Sequence, residues 1–340
     1  MSEPIAFIFP GQGSQAVGMG ADVAAASPAA RAVFERADRC LGFALSALCF
    51  QGPEETLKET INAQPAIVVV SMALLAALEE HLAAGGARER LQPAYVAGHS
   101  VGEYAALAAS GALNLEAALA LVRERGRLMH EEGTVCPGGM AAVLGLDDAV
   151  LQEVCAQATE EMLAASGTQA SRHPGMGRVV VANYNSPGQI VISGEQQALA
   201  RAMELASARG AKRVVALAVS SAFHSPVMEP ASAGLARAVA EARLGDATIP
   251  LVSNISARPV IEAAALRTEL ARQIVSPVQW IKTVEFLAAQ GVSLFVEIGP
   301  GQVLSGLVRR IVKGATTLNV SAAADVARVA DDLLSRLKDA

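Results

Sequence analysis

The sequence predicts an α/β fold in which a large domain with a parallel sheet core carries an inserted, ferredoxin-like small domain. Short apolar strands alternate with helical patterns, which is typical of a parallel sheet covered by helices on both faces. This alternation of strand and helix patterns changes between residues 138 and 218. A chain of 340 residues has room for one large core and an additional module.

The first part of the chain predicts two strands and several helices. The predicted elements are a strand at 5–10, helices near 28–40 and 65–82, a strand at 94–99, and helices at 101–110 and 115–131. The longest apolar run, "PAIVVVSMALLAAL" at 65–78, is too short to span a bilayer and ends in charged residues, so we expect a buried helix.

The middle of the chain predicts the order β-α-β-β-α-β, which is the ferredoxin-like motif. Its predicted elements are strands at 140–146, 178–184, 189–193 and 212–218, with helices at 147–163 and 195–209. We therefore expect an inserted domain over 138–218 and a large domain made of 1–137 and 219–340. The Gly-, Ser- and Pro-rich stretch 164–177 predicts a surface loop.

The last part of the chain returns to the pattern of the large domain. Helices are predicted at 226–243, 262–273, 281–290 and 302–312, with strands at 249–253 and 293–298. Ser225 followed by Pro226 is typical of a helix start, with serine as N-cap and proline in the first turn.

Composition argues against several classes of protein. The net charge is −6 and the chain has no basic block, which disfavours nucleic-acid binding. The four cysteines form no C-x-x-C pair, so reduced thiols are expected and a metal site is not. The start of the sequence has no basic region followed by a cleavage site, which predicts a cytoplasmic protein without membrane association.

The stretch Gly98-His99-Ser100-Val101-Gly102 matches G-x-S-x-G, in which a serine occupies a tight turn between a strand and a helix. Small residues on either side allow strand and helix to approach closely, and the first helical N–H groups face any oxyanion that forms on a bound acyl group. The alternative is a serine that only caps the helix.

A serine nucleophile needs a base, and the chain has five histidines. His81 and His130 lie at polar helix ends, His173 lies in the 164–177 loop, and His99 should point to the opposite face of the strand. His224, just before a helix start, remains. The acids between Glu103 and Glu204 follow no large-domain strand, so either an unexpected acid or a neutral group such as a main-chain carbonyl must orient this histidine.

The glycine-rich segment after the first strand supplies a rival interpretation. Gly11-Gln12-Gly13-Ser14-Gln15-Ala16 matches the G-x-G-x-x-A dinucleotide fingerprint. That fingerprint requires a helix at once and an acidic residue closing a second strand about 20 residues later, and neither is predicted here. We therefore expect a loop whose backbone N–H groups face a site near Ser100.

The helix predicted over 115–131 carries three arginines. On a helical wheel its inward stripe is formed by apolar or small residues: Leu115, Ala118, Leu119, Val122, Gly126 and Met129. Arg125 lies beside this stripe, whereas Arg123 and Arg127 point away. A half-buried arginine needs an anion, which is either a carboxylate of the chain or one of a substrate.

Seven segments together carry a family resemblance: "FIFPGQGSQAVGMG", "AGHSVGEYAAL", "RGRLMHE", "NYNSPGQIVISG", "SAFHSPVM", "RQIVSPVQW" and "EIGPGQVLSGL". In this order and spacing, from residue 5 to about 312, the chain resembles the malonyl-CoA:acyl carrier protein transacylases. The resemblance implies an acyltransferase that passes a malonyl group from malonyl-CoA to acyl carrier protein. Malonyl-CoA would be its substrate, no cofactor would be needed, and a monomer is expected.

The resemblance also implies roles for individual residues. Ser100 would be the nucleophile and His224 its base, oriented by the main-chain carbonyl of Gln273. The N–H groups of Gln12 and Val101 would form the oxyanion hole. Two further residues would contact the substrate: Arg125 would bind the malonyl carboxylate, and Phe223 would narrow the pocket near the malonyl α-carbon.

Other functions remain open at this point. A serine esterase or thioesterase would share Ser100 and His224, and a noncatalytic carrier-docking subunit would keep the fold without forming an acyl-serine. Within the transferases, the acyltransferase of a malonate decarboxylase or a stand-alone polyketide acyltransferase would have nearly the same sequence features.

Overall fold

The computed structural model describes residues 4–85, 92–165, 173–219 and 221–338. Its ten strands in these ranges are β1 (Ile5–Phe9), β2 (Tyr95–Gly98), β3 (Gly138–Leu144), β4 (Val179–Ser186), β5 (Gln189–Glu195), β6 (Arg213–Ala216), β7 (Leu251–Val252), β8 (Pro259–Val260), β9 (Leu294–Ile298) and β10 (Thr316–Val320). They form two sheets, one of six strands and one of four.

Helices cover these sheets. They are α1 (Ala21–Ala26), α2 (Pro28–Leu41), α3 (Leu45–Gln51), α4 (Glu54–Lys58), α5 (Thr60–Ala84), α6 (Gly102–Ala109), α7 (Leu115–Val135), α8 (Asp148–Ala165), α9 (Gln196–Ala208), α10 (Glu229–Glu241), α11 (Ala263–Gln273), α12 (Trp280–Ala289), α13 (Val303–Ile311) and α14 (Ala323–Lys338). A short 3-10 helix, Pro226–Met228, precedes α10.

The six-stranded sheet has the order β10-β9-β1-β2-β7-β8. The pairs from β10 through β7 are parallel, as predicted, whereas β8 runs antiparallel to β7. The sheet is therefore mixed, because the chain turns back directly after β7 instead of crossing over a helix. Parallel strands end at one edge of a sheet, so the loops after β1, β2 and β7 lie side by side.

Helix α5 is the central helix of the larger apolar core. It is longer than the run 65–78 suggested: with 25 residues it is long and apolar enough to cross a membrane by length and composition alone. The expectation of a buried helix is confirmed, since 83% of its most apolar window is buried inside the protein.

The four-stranded sheet has the order β4-β5-β3-β6, and all its neighbours are antiparallel. The elements β3, α8, β4, β5, α9 and β6 follow one another in the predicted order. They enclose an apolar cluster of their own. Strand β4 also reaches the rest of the molecule, because Tyr184 N–H donates to Val278 O at 2.9 Å and Val278 N–H donates to Ala182 O at 2.8 Å.

Every element predicted from the sequence is present in the described ranges, with shifted boundaries. The predicted helix 226–243 is divided into the 3-10 helix and α10, and Ser225 Oγ accepts from Val227 N–H as the predicted cap. The sequence analysis missed α1, α3, α4, β8, β10 and α14. Five of these have no more than seven residues, too few to show a clear period.

Candidate active site

Ser100 lies on a sharp turn between β2 and α6. Its φ of 52° is in the left-handed region, which is unusual for a residue other than glycine. A Cβ on Gly98 would overlap the main chain of Gly102, and a Cβ on Gly102 would overlap the carbonyl of Phe9. Both glycines are thus required by the close approach of strand and helix, which exposes the serine hydroxyl at the carboxyl edge of the sheet.

His224 contacts the serine directly. Its Nε2 lies 2.7 Å from Ser100 Oγ, and its Nδ1 lies 2.9 Å from Gln273 O and 3.0 Å from Ser276 O. Because two carbonyl oxygens can only accept, Nδ1 must carry the proton, and the lone pair of Nε2 is left to accept the serine hydroxyl proton. A neutral main-chain group therefore orients the histidine, one of the two alternatives that the sequence left open.

The imidazole of His224 is held in its neutral form. The side chain is 2% exposed. Burial and the nearby charge of Arg125 lower the pKa of His224 to about 3, against the opposing effect of the Gln273 carbonyl. At neutral pH this histidine is therefore a proton acceptor.

Arg125 lies beside the Ser100 hydroxyl and is more deeply buried than its helical position suggested. It is 1% exposed, with Nη2 donating to Ser100 Oγ and Gln273 Oε1, both at 3.1 Å, and Nη1 donating to Gln64 Oε1 at 2.7 Å. Within the described ranges no carboxylate forms an ion pair with Arg125, and its Nε has no hydrogen-bond partner. A buried guanidinium with unused donor capacity can bind an anion.

The two other arginines of α7 differ from each other. Arg127 forms surface ion pairs with Glu124 and Glu131, as its outward position predicts. The prediction that Arg123 also points away was wrong: its Nη1 donates to Ile61 O and Asn62 Oδ1 at 2.6 Å, and its guanidinium lies over the ring of Phe43. Arg123 reaches these groups because α7 packs against α5.

Two backbone N–H groups near the serine are free to act as donors. Among the described residues, neither Gln12 N–H nor Val101 N–H donates to another group of the chain. Gly11 lies against the turn, since a Cβ there would lie 2.7 Å from His99 O. The segment after β1 therefore borders the turn and does not open a helix until Ala21, unlike a dinucleotide fingerprint.

Phe223 and His99 flank the dyad in the sequence. Phe223 is 5% exposed and packs within the larger apolar core. The Nε2 of His99 bonds to Asn185 Oδ1 at 2.8 Å, and its ring lies edge-on to Trp280. His99 is thus engaged by the end of β4 and not by the serine hydroxyl.

The loop predicted at 164–177 falls partly outside the described residues, at 166–172. Residues 173–177 of this loop contact helices that cover the large sheet. His173 Nε2 lies 2.7 Å from Glu132 Oε1 on α7, and a Cβ on Gly175 would overlap Val227 in the 3-10 helix after His224. This part of the loop therefore packs near the dyad.

Three side chains around the serine were not predicted from the sequence: Glu103, Asn254 and Gln64. Glu103 is fully buried in α6 and accepts hydrogen bonds from Asn254 and Gln273. Burial and the facing carboxyl of Glu269 raise the pKa of Glu103 well above its usual range. A signal was available, because Glu103 is the one charged residue in the apolar run "GEYAALAA".

The four cysteines are unpaired, and Cys40 alone among them is exposed. Over the described part of the chain, no group of three or more His, Cys, Asp or Glu side chains could hold a metal ion.

The fold and the site together define an α/β enzyme of the acyl-transfer type. The chain belongs to the acyl transferase domain family, whose model matches residues 6–335.

Similar proteins cover nearly the whole chain. Malonyl CoA-acyl carrier protein transacylase of Bacillus subtilis is 42% identical over 318 residues, covering 93% of each chain. The Salmonella typhimurium protein of the same name is 43% identical over 95% of this chain and 98% of its own.

Solved structures agree in fold. An acyl-carrier-protein-S-malonyltransferase from Bartonella henselae has a TM-score of 0.87 and 39% identity, over 97% of this chain and 99% of its own. A malonyl-transacylase solved in complex with its type II PKS acyl-carrier protein has a TM-score of 0.87 and 37% identity, again over 97% and 99% of the two chains.

Proposed function

We propose that this protein transfers a malonyl group from malonyl-CoA to the phosphopantetheine thiol of an acyl carrier protein, through a malonyl-serine intermediate. The observation that carries the proposal is the position of Arg125. A buried cation without an ion-pair partner among the described residues lies 3.1 Å from the hydroxyl of a serine that also contacts a neutral histidine. An acyl group that ends in a carboxylate fits this arrangement, and the names of the relatives agree with it.

In the first half-reaction, Ser100 Oγ attacks the thioester carbonyl carbon while His224 Nε2 accepts the hydroxyl proton. The carbonyl oxygen becomes an oxyanion, which the N–H groups of Gln12 and Val101 stabilise. When the C–S bond breaks, the electron pair leaves with sulfur, and His224 returns its proton to give free CoA. The malonyl group remains on Ser100 as an ester, and its carboxylate pairs with Arg125.

The second half-reaction runs in the opposite direction. His224 accepts the proton of the phosphopantetheine thiol, whose sulfur attacks the ester carbonyl. The tetrahedral intermediate then expels Ser100 Oγ, which takes the proton back from His224. Each half-reaction is a thioester–ester exchange, so no oxidant, reductant or cofactor is consumed.

A carboxylate partner for the histidine is not needed for this chemistry. The carbonyls of Gln273 and Ser276 fix the tautomer and orientation of His224, which are two of the tasks an aspartate performs in a triad. A thioester is a more reactive acyl donor than an amide. A neutral Ser–His dyad is therefore sufficient, and it leaves Arg125 as the buried cation that meets the substrate.

The architecture that we propose is a hydrolase-like domain of residues 1–137 and 219–340 with a ferredoxin-like domain, 138–218, inserted into it. The strand order β4-β5-β3-β6 and the separate apolar cluster support this division. We further propose a cytoplasmic monomer that binds neither membranes nor nucleic acid.

The acyltransferase of a malonate decarboxylase or a polyketide acyltransferase would use the same residues, and a thioesterase would share the dyad. The test is to incubate the protein with malonyl-CoA and to follow free malonate and malonyl-carrier, adding candidate holo carrier proteins one at a time. We expect malonyl-carrier to form much faster than malonate. Net release of malonate with every carrier would identify a thioesterase instead.

A further inference from the structure

Glu103 has no role in the proposed chemistry, although it lies directly beneath the nucleophile. It belongs to the first turn of α6, three residues after Ser100, and is fully buried. Its Oε1 accepts from Asn254 N–H at 3.0 Å and Asn254 Nδ2 at 2.9 Å, and its Oε2 accepts from Gln273 Nε2. One carboxyl therefore holds two side-chain amides.

The first of these amides, that of Asn254, holds the main chain at the serine. Its Oδ1 accepts from Ser100 N–H at 2.8 Å, and its Nδ2 donates to Gly98 O at 2.7 Å. If the Asn254 amide were rotated by half a turn, its NH₂ group would face the main-chain N–H of Ser100, and two donors would meet without an acceptor. Because Glu103 Oε1 accepts from both the main-chain N–H and the Nδ2 of Asn254, it favours the orientation that supports the left-handed conformation of Ser100.

The second amide, that of Gln273, links the serine to Arg125. Its Nε2 donates to Ser100 O at 3.0 Å, while its Oε1 accepts from Arg125 Nη2 at 3.1 Å. A reversed amide would place two donors face to face at the guanidinium. The acceptor Oε2 of Glu103 again selects the orientation observed.

We propose that Glu103 is a positioning residue that fixes the amide orientations of Asn254 and Gln273, and through them the Ser100 main chain and the Arg125 guanidinium. This inference rests on the proposed acyl transfer. The part of Glu103 is to accept hydrogen bonds from the two amides through Oε1 and Oε2, and Glu103 neither contacts the acyl group nor exchanges a proton with it.

The surroundings of Glu103 suit this task. The neighbouring Glu269 accepts from Ser253 Oγ at 2.7 Å and Ile255 N–H at 3.0 Å, and among the described residues it forms no hydrogen bond with the side-chain amide of Asn254 or Gln273. Glutamine at position 103 would keep the volume but offer one acceptor oxygen in place of two. Glu103→Gln should therefore retain one amide contact, and Glu103→Ala should retain neither.

The experiment measures the rate of acyl-serine formation with malonyl-CoA and with acetyl-CoA, together with the Tm of each variant. Loss of a residue that orients the ligands of a catalytic metal typically lowers activity about 10- to 100-fold, and Glu103 would orient the reacting groups here in a similar way. We expect a loss of this size for Glu103→Ala with malonyl-CoA and a smaller one for Glu103→Gln. Acetyl-CoA should also react more slowly, because the Ser100 main chain serves both substrates, but the loss should be greater for malonyl-CoA.

Glu297 provides a matched control. It is a fully buried carboxyl near the end of β9 that accepts from Leu304 N–H at 3.0 Å and Ser305 N–H at 2.7 Å, and among the described residues no hydrogen bond or ion pair joins it to the site residues named above. Glu297→Gln should lower the Tm without changing the ratio of the malonyl and acetyl rates.

A double-mutant cycle separates positioning from general destabilisation. If Glu103 acts through Asn254, Glu103→Ala combined with Asn254→Ala should be little slower than the slower single variant, whereas Glu297→Gln combined with Asn254→Ala should be additive. Additive losses in the first pair, or Glu103→Ala rates within about twofold of the unaltered protein, would overturn the positioning role. Failure of the unaltered protein to form malonyl-Ser100 would instead overturn the proposed function.

Discussion

Arg125 Nη2 and Ser100 Oγ lie 3.1 Å apart, so a buried cation and a nucleophile share one site, although Arg125 lies on α7 and Ser100 lies 25 residues earlier, on the turn before α6. The same guanidinium lowers the pKa of His224. Substrate selection and base strength are therefore linked through one side chain.

Arg125→Ala should selectively impair transfer of malonyl groups. Removing one partner of a buried charge pair typically costs about 2 to 5 kcal/mol, so the specificity constant for malonyl-CoA should fall roughly 30-fold to several thousand-fold. The acetyl group has no carboxylate, so the specificity constant for acetyl-CoA should change little or even rise. The measurement is kcat/KM for both thioesters.

Arg127→Ala is the matched control for that variant. Arg127 lies on the same helix, but its ion pairs with Glu124 and Glu131 are at the surface, and such pairs contribute little to stability. Arg123→Ala is a poorer control, because Arg123 packs α7 against α5. An equal loss for both thioesters in Arg125→Ala would mean that Arg125 is structural.

The pH dependence of acylation should reflect the lowered pKa of His224. Protonation of Nε2 removes the lone pair that accepts the serine proton, so activity falls as pH drops through the pKa of His224. Because that pKa is near 3, kcat/KM should stay constant as the pH is lowered well past ~6.5, which is the ordinary pKa of histidine. In Arg125→Ala the loss should begin at a higher pH with acetyl-CoA. An unchanged profile would contradict the linkage of Arg125 and His224.

His224→Ala should slow transfer about 10²- to 10⁴-fold, the usual contribution of a positioned general base. Each Asp and Glu residue between Glu103 and Glu204 should be replaceable with a much smaller loss of transfer rate. Glu103 is the exception, since it holds the amides of Asn254 and Gln273. Steady-state transfer rates of single variants test this. If Glu132→Gln were as slow as His224→Ala, orientation of the histidine by carbonyls alone would be wrong.

Phe223→Ser should raise the relative activity on methylmalonyl-CoA. The proposal places Phe223 next to the malonyl α-carbon, and room for one methyl group changes discrimination by only about 1 to 3 kcal/mol. The shift should thus be partial. The ratio of the two specificity constants is the quantity to measure, because it cancels any loss of folded protein. An unchanged ratio would remove Phe223 from the pocket.

The sequence predicted those parts of the site that depend on local patterns. The turn at Ser100 follows from two glycines beside a strand, and the inward position of Arg125 follows from the 100° step of a helix. The stripe predicted for α7 is buried as expected. The short strands β8 and β10 show no such pattern in the sequence. Their position depends on pairing with the neighbouring strands β7 and β9 and not on a local period.

The contacts around the dyad could not be derived in this way. Glu103 and Asn254 are 151 residues apart, and Gln273 and Ser100 are 173 apart. Only the order of strands in the sheet brings them together. The residues alone left the partner of His224 open, and the carbonyl of Gln273 entered through a family resemblance. The three-dimensional arrangement adds the second carbonyl, that of Ser276.

The most direct test of this account is intact-protein mass spectrometry after mixing with malonyl-CoA alone, followed by peptide mapping. The account predicts one malonyl group per chain, located on Ser100, absent in Ser100→Ala, and discharged when a competent holo acyl carrier protein is added. A stable adduct on another residue, or no adduct on the unaltered protein while transfer proceeds, would contradict it.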